Sequence, residues 1–336
     1  MIINVDLKHT DYNIYIERGN LLKAGELLNL NRKVLIVTDQ GVPKEYAQKV
    51  ASQCKEGVIV TVNEGEESKS IAVFEELLKK MLEAGFTRKD AVVAVGGGVC
   101  GDLAGFVAAS FMRGVDFYNI PTTVLSQVDS SIGGKVAVNL GGIKNIVGAF
   151  YQPKAVLIDP ETLKTLPERQ ISAGLAEAVK MALTFDKELF EKIEQSKNPM
   201  EMIDKIIIGS LLIKKRVVEE DEKESGLRKV LNFGHTVGHA IESVAEGDLY
   251  HGECVALGML AVCEGDVKER VIKVLNSLKL PTDFKASKNA LLEAASHDKK
   301  AGADTVTVIT TDTVGIFKMQ EESIDELSNR MEQFFL

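Results

Sequence analysis

Histidine is scarce in this chain, with five in 336 residues, yet His235, His239 and His251 fall within seventeen positions. The run His235-Thr236-Val237-Gly238-His239 sets two imidazoles at i and i+4, on one face of a helix. A zincin helix has that spacing, but Thr236 stands where the general-base Glu would follow the first His, so protease chemistry is disfavoured. His251-Gly252-Glu253 opens the next helical stretch and can return a third imidazole to the same place. For a carboxylate we look to Glu177, in Gly174-Leu175-Ala176-Glu177-Ala178-Val179-Lys180, where a charge among small apolar residues needs a partner. Two His and one Glu, with positions left for water or substrate, form a catalytic rather than a structural zinc pattern. Lys180 lies three residues after Glu177; if exposed, such a pair contributes only ~0.2–0.5 kcal/mol. The plain alternative is a set of histidines satisfied inside the core. His9 and His297 have no such company.

A second kind of chemistry is written in glycine. Gly96-Gly97-Gly98-Val99-Cys100-Gly101 satisfies GxGxxG between a predicted strand and a predicted helix, where bare backbone can approach a pyrophosphate. The usual dinucleotide fingerprint also wants an acidic residue about 20 positions later, and that region reads Asn119-Ile120-Pro121-Thr122-Thr123. Asp39, at the end of an earlier strand, is the well-placed ribose partner, so the order is reversed. A tight turn with glycine for packing is the bland alternative. Beyond it come Gln127-Val128-Asp129-Ser130-Ser131-Ile132-Gly133-Gly134-Lys135 and Gly141-Gly142-Ile143-Lys144-Asn145, glycine pairs beside lysines, as a phosphate cradle requires. Residues 104–158 hold Arg113, Lys135, Lys144 and Lys154 against Asp116 and Asp129, a net +2, whereas the remainder of the chain is −11.

These residues need elements to hold them. Lys33 to Thr38, Gly57 to Val62 and Ala91 to Val95 read as buried strands, and Ser70 to Ala84 as a helix closed by Gly85. Strand, helix, strand in that rhythm predicts a parallel sheet covered by helices. From Ile171 to Glu264 the pattern is mostly helical, with an acidic patch at Glu219 to Glu224. Thr305 to Thr310 and Thr313 to Lys318 read as a late hairpin. The expected organisation is an α/β domain over 1–159, with a Rossmann-like parallel sheet, and a mainly α-helical domain over 160–336. Forty basic against 49 acidic residues give −9, which argues against a broad nucleic-acid surface. The first ten residues lack a signal-peptide pattern, and the longest apolar run, Ala91 to Met112, carries Asp102 and five glycines, which argues against a membrane span. Four cysteines without a CxxC pair suit a reduced cytoplasm.

Taken together, these stretches resemble the 3-dehydroquinate synthase family of sugar-phosphate cyclases. The residues that carry the likeness are Gly96 to Phe106, Pro121-Thr122-Thr123 with Gln127 to Ser131, Phe150-Tyr151-Gln152-Pro153, Gly174 to Glu177, Asn232 to Ala240, and His251-Gly252-Glu253. The likeness runs from about Glu64 to Lys300 and weakens outside it. It implies a cytoplasmic homodimer that uses NAD and a divalent metal, Zn2+ or Co2+. The reaction implied is that of the shikimate pathway in which 3-deoxy-D-arabino-heptulosonate 7-phosphate becomes 3-dehydroquinate and phosphate. It proceeds by transient oxidation with NAD, phosphate elimination, re-reduction and intramolecular aldol closure.

The resemblance also assigns residues. Glu177, His235 and His251 would hold the metal. NAD would lie on Glu66, Lys69, the loop from Gly97 through Gly98, Val99 and Gly101 to Asp102, Thr122, Thr123, Lys135, Lys144 and Thr162-Leu163-Lys164-Thr165, with Asp39 near the adenosine. Asp129, Lys135, Asn145, Lys180, Lys214, Arg228, Asn232 and His239 match substrate-site positions, with Lys135, Lys180, His239 and Asp129 in the catalytic roles. Arg113 matches an arginine given across the dimer, and Lys299 (or Lys300) a lysine of the late Asp-Lys-Lys segment. Val136 departs from the Thr common at its place. Among rival readings, a glycerol-dehydrogenase-type enzyme has no use for Arg228 or Lys135 on a neutral polyol. A 2-deoxy-scyllo-inosose-forming cyclase handles a phosphate but no carboxylate, which leaves Arg228 idle. A non-catalytic sugar-phosphate-binding regulator has no need of Glu177, His235 or His251.

Overall fold

The computed structural model describes residues 1–296 and 305–336. It divides into two units, Met1–Leu166 and Pro167–Leu336. The expected division at 159/160 falls seven residues earlier. The reason is local: the turn Pro160–Thr165 is capped by Asp159, and Gln127 and Tyr46 both bond to it, so it stays with the first unit.

The first unit is built on β1 (Ile2–Leu7), β2 (Thr10–Ile16), β3 (Lys33–Asp39), β4 (Glu56–Val62), β5 (Ala91–Gly96), β6 (Asp116–Pro121), β7 (Lys135–Leu140), β8 (Ile143–Phe150) and β9 (Ala155–Ile158). Its helices are α1 (Ala24–Leu27), α2 (Lys44–Ala51), α3 (Ile71–Glu83) and α4 (Gly98–Ser110). Seven strands form one sheet in the order β1-β2-β9-β6-β5-β3-β4. Every pair in it is parallel except β1 with β2, an antiparallel edge at the N-terminus. β5, Ala91-Val92-Val93-Ala94-Val95-Gly96, is buried along its whole length, the apolar run that a sheet covered on both faces requires. One face packs against Tyr46, Ala47 and Val50 of α2. The other packs against Leu77 and Met81 of α3 and Leu103 and Val107 of α4. α3 starts where the Ser70 hydroxyl accepts from the Val73 amide, and it ends at Gly85, whose φ of +67° closes the last turn.

β7 and β8 form a separate hairpin, and here the reading of a glycine cradle is corrected. Gly141 and Gly142 have φ of +61° and +80°, the two-residue turn that joins Leu140 to Ile143. Lys135 and Lys144 therefore sit on strands, not in a phosphate loop.

The second unit contains α5 (Glu168–Phe185), α6 (Lys187–Gln195), α7 (Ile203–Glu220), α8 (His235–Val244), α9 (His251–Val262), α10 (Gly265–Ser277) and α11 (Lys288–Ser296). The antiparallel hairpin β10 (Thr305–Thr313) and β11 (Ile316–Ser323) and then α12 (Ile324–Met331) complete it. The hairpin turns later than expected: β10 continues past Thr310 through an irregularity to Thr313, and the turn uses Gly315 at φ +86°. α5 and α9 touch closely. A Cβ on Gly252 would lie 1.9 Å from the Ala173 carbonyl oxygen, so only glycine lets the start of α9 meet α5. Among the described residues no helix is long and apolar enough to cross a membrane.

Candidate active site

The first unit gathers its polar candidates around Lys69, which is 4% exposed. Its Nζ lies 2.6 Å from Asp102 Oδ2 and 3.6 Å from Glu66 Oε1, and it donates to Asn145 Oδ1. Asn139 closes the circle. Its Nδ2 donates to Glu66 Oε1 at 2.9 Å, and its Oδ1 accepts from the Asn145 amide at 2.8 Å. Asn145 has φ of +56°, a conformation that this bond helps to hold. Glu66, Lys69, Asp102 and Asn145 are thus one network. Asn139 belongs to it too and was not foreseen, because a lone Asn inside a strand pattern carries no spacing signal.

Gly97 caps α4 without a side chain, which leaves the first amides of that helix for an anion. A Cβ on Gly97 or Gly101 would press on Thr123 Cγ2 or Asn119 Nδ2, both at 3.1 Å, so glycine there also serves close packing. Thr122 donates its amide to the Gly96 carbonyl, and the Thr123 hydroxyl accepts from the Ser126 amide. Asp129 lies in the π-helical turn Ser126–Ser130. Gln127 Nε2 donates to the Pro121 and Asp159 carbonyls and to Thr162 Oγ1 at 3.0–3.2 Å, so the ends of β6 and β9 and the Thr162 turn are tied together. Thr165 Oγ1 lies 2.9 Å from Tyr46 Oη, Leu163 is buried, and Lys164 pairs with Glu161. Asp39 accepts from the Gly41 amide and from the Cys100 thiol at 3.1 Å. Burial and the Asp39 charge hold the Cys100 thiol well above its usual pKa, so it stays protonated as a donor. Lys135 and Lys144 stand on β7 and β8. The two lysines are exposed on the hairpin, and Arg113 follows Met112 in a left-handed pair at φ of +71° and +49°.

The second unit gathers the metal candidates. Glu177 and Lys180, one turn apart on α5, are 0% and 1% exposed and form an ion pair. The surface value for an i,i+3 pair therefore does not apply; breaking a buried pair costs about 3–5 kcal/mol. His235 opens α8, His239 stands one turn further along the same face, and His251 is the first residue of α9. Their ring centroids are 5.3–5.7 Å apart, and one nitrogen from each can lie within 4.8 Å of the others. Nε2 of both His235 and His251 lies 3.7 Å from Glu177 Oε1. His239 is exposed and stands as near to its neighbours as they do to each other. Arg169 grips Glu253 with two bonds of 2.7 and 2.8 Å, and Glu253 accepts from the Tyr250 amide, which fixes the start of α9 beneath His251.

The donor set fits a divalent metal. Oε2 of buried Glu177 faces the Lys180 ammonium, whereas Oε1 has no hydrogen-bond partner and looks toward Nε2 of both His235 and His251, the state of an acceptor open to a cation. Burial, then the charge of Lys180, holds the His235 pKa well below its usual value, so its imidazole is neutral and able to ligate. Burial pushes His251 the same way, but the Glu242 hydrogen bond and the Glu177 charge outweigh it and raise the value.

In the same unit, Lys214 and Arg228 are buried. Arg228 donates to the Glu222 carbonyl, and Asn232 Nδ2 donates to Glu224 Oε1 at 2.7 Å. Glu224, at φ of +61°, and Glu242 were not foreseen. Glu224 lies in the acidic patch, to which the sequence attached no role, and Glu242 follows His239 by three residues on one helix face. Lys299, Lys300 and His297 lie outside the described residues.

Comparison with known proteins agrees across nearly the whole chain. The family models for the 3-dehydroquinate synthase N-terminal and C-terminal regions match residues 59–173 and 174–301. A 3-dehydroquinate synthase of Streptococcus sanguinis (strain SK36) is 40% identical over 349 residues, covering 97% of this chain and 98% of that protein. Among solved structures, a 2-deoxy-scyllo-inosose synthase complexed with carbaglucose-6-phosphate, NAD+ and Co2+ is 25% identical. It has a TM-score of 0.90 and covers 99% of each chain. A 2-epi-5-epi-valiolone synthase of Streptomyces hygroscopicus with NAD+ and Zn2+ is also 25% identical, with a TM-score of 0.88 and 97% of each chain covered.

Proposed function

The chain belongs to the 3-dehydroquinate synthase family, and we infer that it performs that family's reaction with the work divided between its two units. It converts 3-deoxy-D-arabino-heptulosonate 7-phosphate to 3-dehydroquinate and phosphate, with NAD and a divalent metal as cofactors. The observation that carries this reading onto the chain's own residues is the convergence of Glu177, His235, His239 and His251. Identity of 40% to synthases against 25% to the inosose-forming cyclase favours the keto-acid phosphate as substrate.

When bound, NAD supplies a reversible hydride acceptor, and the metal, Zn2+ or Co2+, a Lewis acid that acidifies substrate hydroxyls. The first unit takes NAD: Gly97, Gly98, Val99, Gly101 and Asp102 meet the pyrophosphate. Asp39 meets the adenosine, and Glu66, Lys69, Thr122, Thr123, Lys135, Lys144 and the Thr162-Leu163-Lys164-Thr165 turn meet the remainder. In the second unit Glu177, His235 and His251 hold the metal, and exposed His239 carries the proton of the oxidised hydroxyl. Lys180 and Asp129 complete the catalytic set. Arg228 offers the planar fork that a carboxylate prefers, and Lys214, Asn232 and Lys299 assist it. Lys135 and Asn145 orient the phosphate, which leaves by elimination, and the aldol closure gains from holding both chain ends in place.

The phosphate also meets Arg113 of the partner subunit, which makes the enzyme a homodimer. Exposed apolar side chains on the β7–β8 hairpin, Leu140, Ile143, Ile146 and Phe150 at 49–59%, support this, because concentrated exposed apolar area marks association surfaces. The cytoplasm, where NAD is abundant and thiols stay reduced, is the proposed compartment. The test is an assay with NAD and the heptulosonate phosphate that follows phosphate release and NADH absorbance together. Phosphate release without net NADH, abolished by a chelator, is the expected result. Steady NADH accumulation without phosphate would overturn the reading in favour of a polyol dehydrogenase.

A further inference from the structure

His235 and His251 address Glu177 in the same way, but what lies behind them differs. Nδ1 of His235 sits 3.2 Å from the Phe233 carbonyl oxygen, and Nδ1 of His251 sits 2.8 Å from Glu242 Oε2. A carbonyl and an ionised carboxylate can only accept, so both Nδ1 atoms carry a proton, and in the neutral ring that a metal requires the Nε2 lone pair faces Glu177. The rings also differ in how they are held. The His235 side chain is 12% exposed and that of His251 is 33% exposed, at the first residue of α9. Packing grips the first ring; the second depends on its hydrogen bond for orientation. α8 supplies that bond from the same helix that carries His235 and His239.

We propose that Glu242 is a positioning residue for the metal. Its carboxylate fixes the His251 ring with Nε2 turned into the cluster, and its charge makes that nitrogen a stronger donor than Nε2 of His235. The inference rests on the metal reading of the cluster given above. A carboxylate behind a ligating imidazole fixes the tautomer and raises ligand basicity, and removing such a partner typically weakens metal affinity about 10–100-fold. A backbone carbonyl, the partner of His235, fixes the tautomer without adding charge. The two ligands are therefore unequal, and Glu242 sets the tighter one.

The test uses the full chain as wild type, Glu242→Gln, Glu242→Ala and His235→Ala, each stripped with a chelator and checked for fold by circular dichroism. Co2+ affinity is read by competition with a chromophoric chelator, the site by the visible Co2+ absorption band. The His251 tautomer is read from imidazole 15N shifts of the metal-free protein. Glu242→Ala should weaken Co2+ binding about 10–100-fold, shift the band and release the His251 tautomer. Glu242→Gln keeps an acceptor oxygen but not the charge, so it should hold the tautomer and lose part of the affinity. His235→Ala should not bind Co2+ at the site. Wild-type affinity and band in Glu242→Ala, with His235→Ala silent, would overturn the role of Glu242 and leave the metal reading standing. Wild-type Co2+ binding in His235→Ala would overturn the metal reading and this proposal with it. If Glu242→Ala does not fold, wild-type affinity and band in Glu242→Gln would overturn the role assigned to the charge.

Discussion

Lys69 in the first unit and Glu177 in the second are both buried ionised groups, but they are satisfied to different degrees. Lys69 has two carboxylates and an amide oxygen around its ammonium group, and Asn139 ties those partners to one another. Glu177 pairs its Oε2 with Lys180, but its Oε1 has no hydrogen-bond partner, only two histidine nitrogens 3.7 Å away. A buried network that satisfies itself is rigid before any ligand arrives, whereas an unsatisfied acceptor carries a desolvation cost that a cation removes. The Lys69 network, proposed for NAD, is preassembled, whereas the Glu177 cluster, proposed for the metal, keeps one acceptor open for its ligand.

The strongest way to break that contrast is to remove a proposed metal ligand. His235→Ala should lose metal and activity together, with a rate loss of about 10³-fold or more, because Lewis-acid stabilisation supplies several kcal/mol. Metal content after dialysis and phosphate release would be measured side by side. Next in size is His239→Ala, which should keep its metal and lose about 10²–10⁴-fold in kcat, the usual share of a positioned proton carrier. Equal metal loss in both variants would merge the two roles and make the exposed histidine a ligand. Smaller again is Lys69→Met. It leaves Glu66 and Asp102 without their shared cation, so urea unfolding should show a loss of about 1–3 kcal/mol and NAD titration a weaker complex. Co2+ affinity in Lys69→Met should remain at the wild-type value; a change there would mean that the two sites are not independent.

What could be read ahead of the structure, and what could not, follows the same divide. β3, β5 and α3 announce themselves through continuous apolar runs, 3.6-residue spacing and a Ser cap, because burial on both sheet faces or on one helix face leaves a periodic trace. His235 and His239 were legible from their i, i+4 spacing, and Glu177 from a charge among small apolar residues. The β7–β8 hairpin was misread because Gly141-Gly142 between lysines suits a phosphate loop as well as a turn, and outward Ile143 and Ile146 hide the usual alternation. β1 went unnoticed although Ile3, Val5 and Leu7 are its buried residues at period two. Asn139, Glu224 and Glu242 act through a partner 6 to 73 positions away in the chain, and no local pattern encodes such a pairing.

The contrast also has a limit that can be sharpened inside the second unit. Asp221 ends α7 and holds the loop that presents Glu224 and Arg228. Its carboxylate accepts from the amides of Ser225, Gly226 and Arg228 at 2.6–3.1 Å and from the Ser225 hydroxyl. Burial works to raise its pKa, but those donors outweigh it and bring the value down to about 2. A folded value below the unfolded one contributes stability that is complete above about pH 4 and is lost as pH falls towards 2. Asp221→Asn keeps the shape and loses the charge, so it should cost about 1–2 kcal/mol near neutrality. The gap in urea midpoint between wild type and variant should then narrow steadily below pH 4, in metal-free protein as in metal-loaded protein. A gap that persists at pH 3 would mean the loop does not depend on the Asp221 charge. A gap that appears only when metal is present would mean the incompleteness of the Glu177 cluster extends to its outer loop. Independence from metal would confine it to Glu177 and the three imidazoles around it.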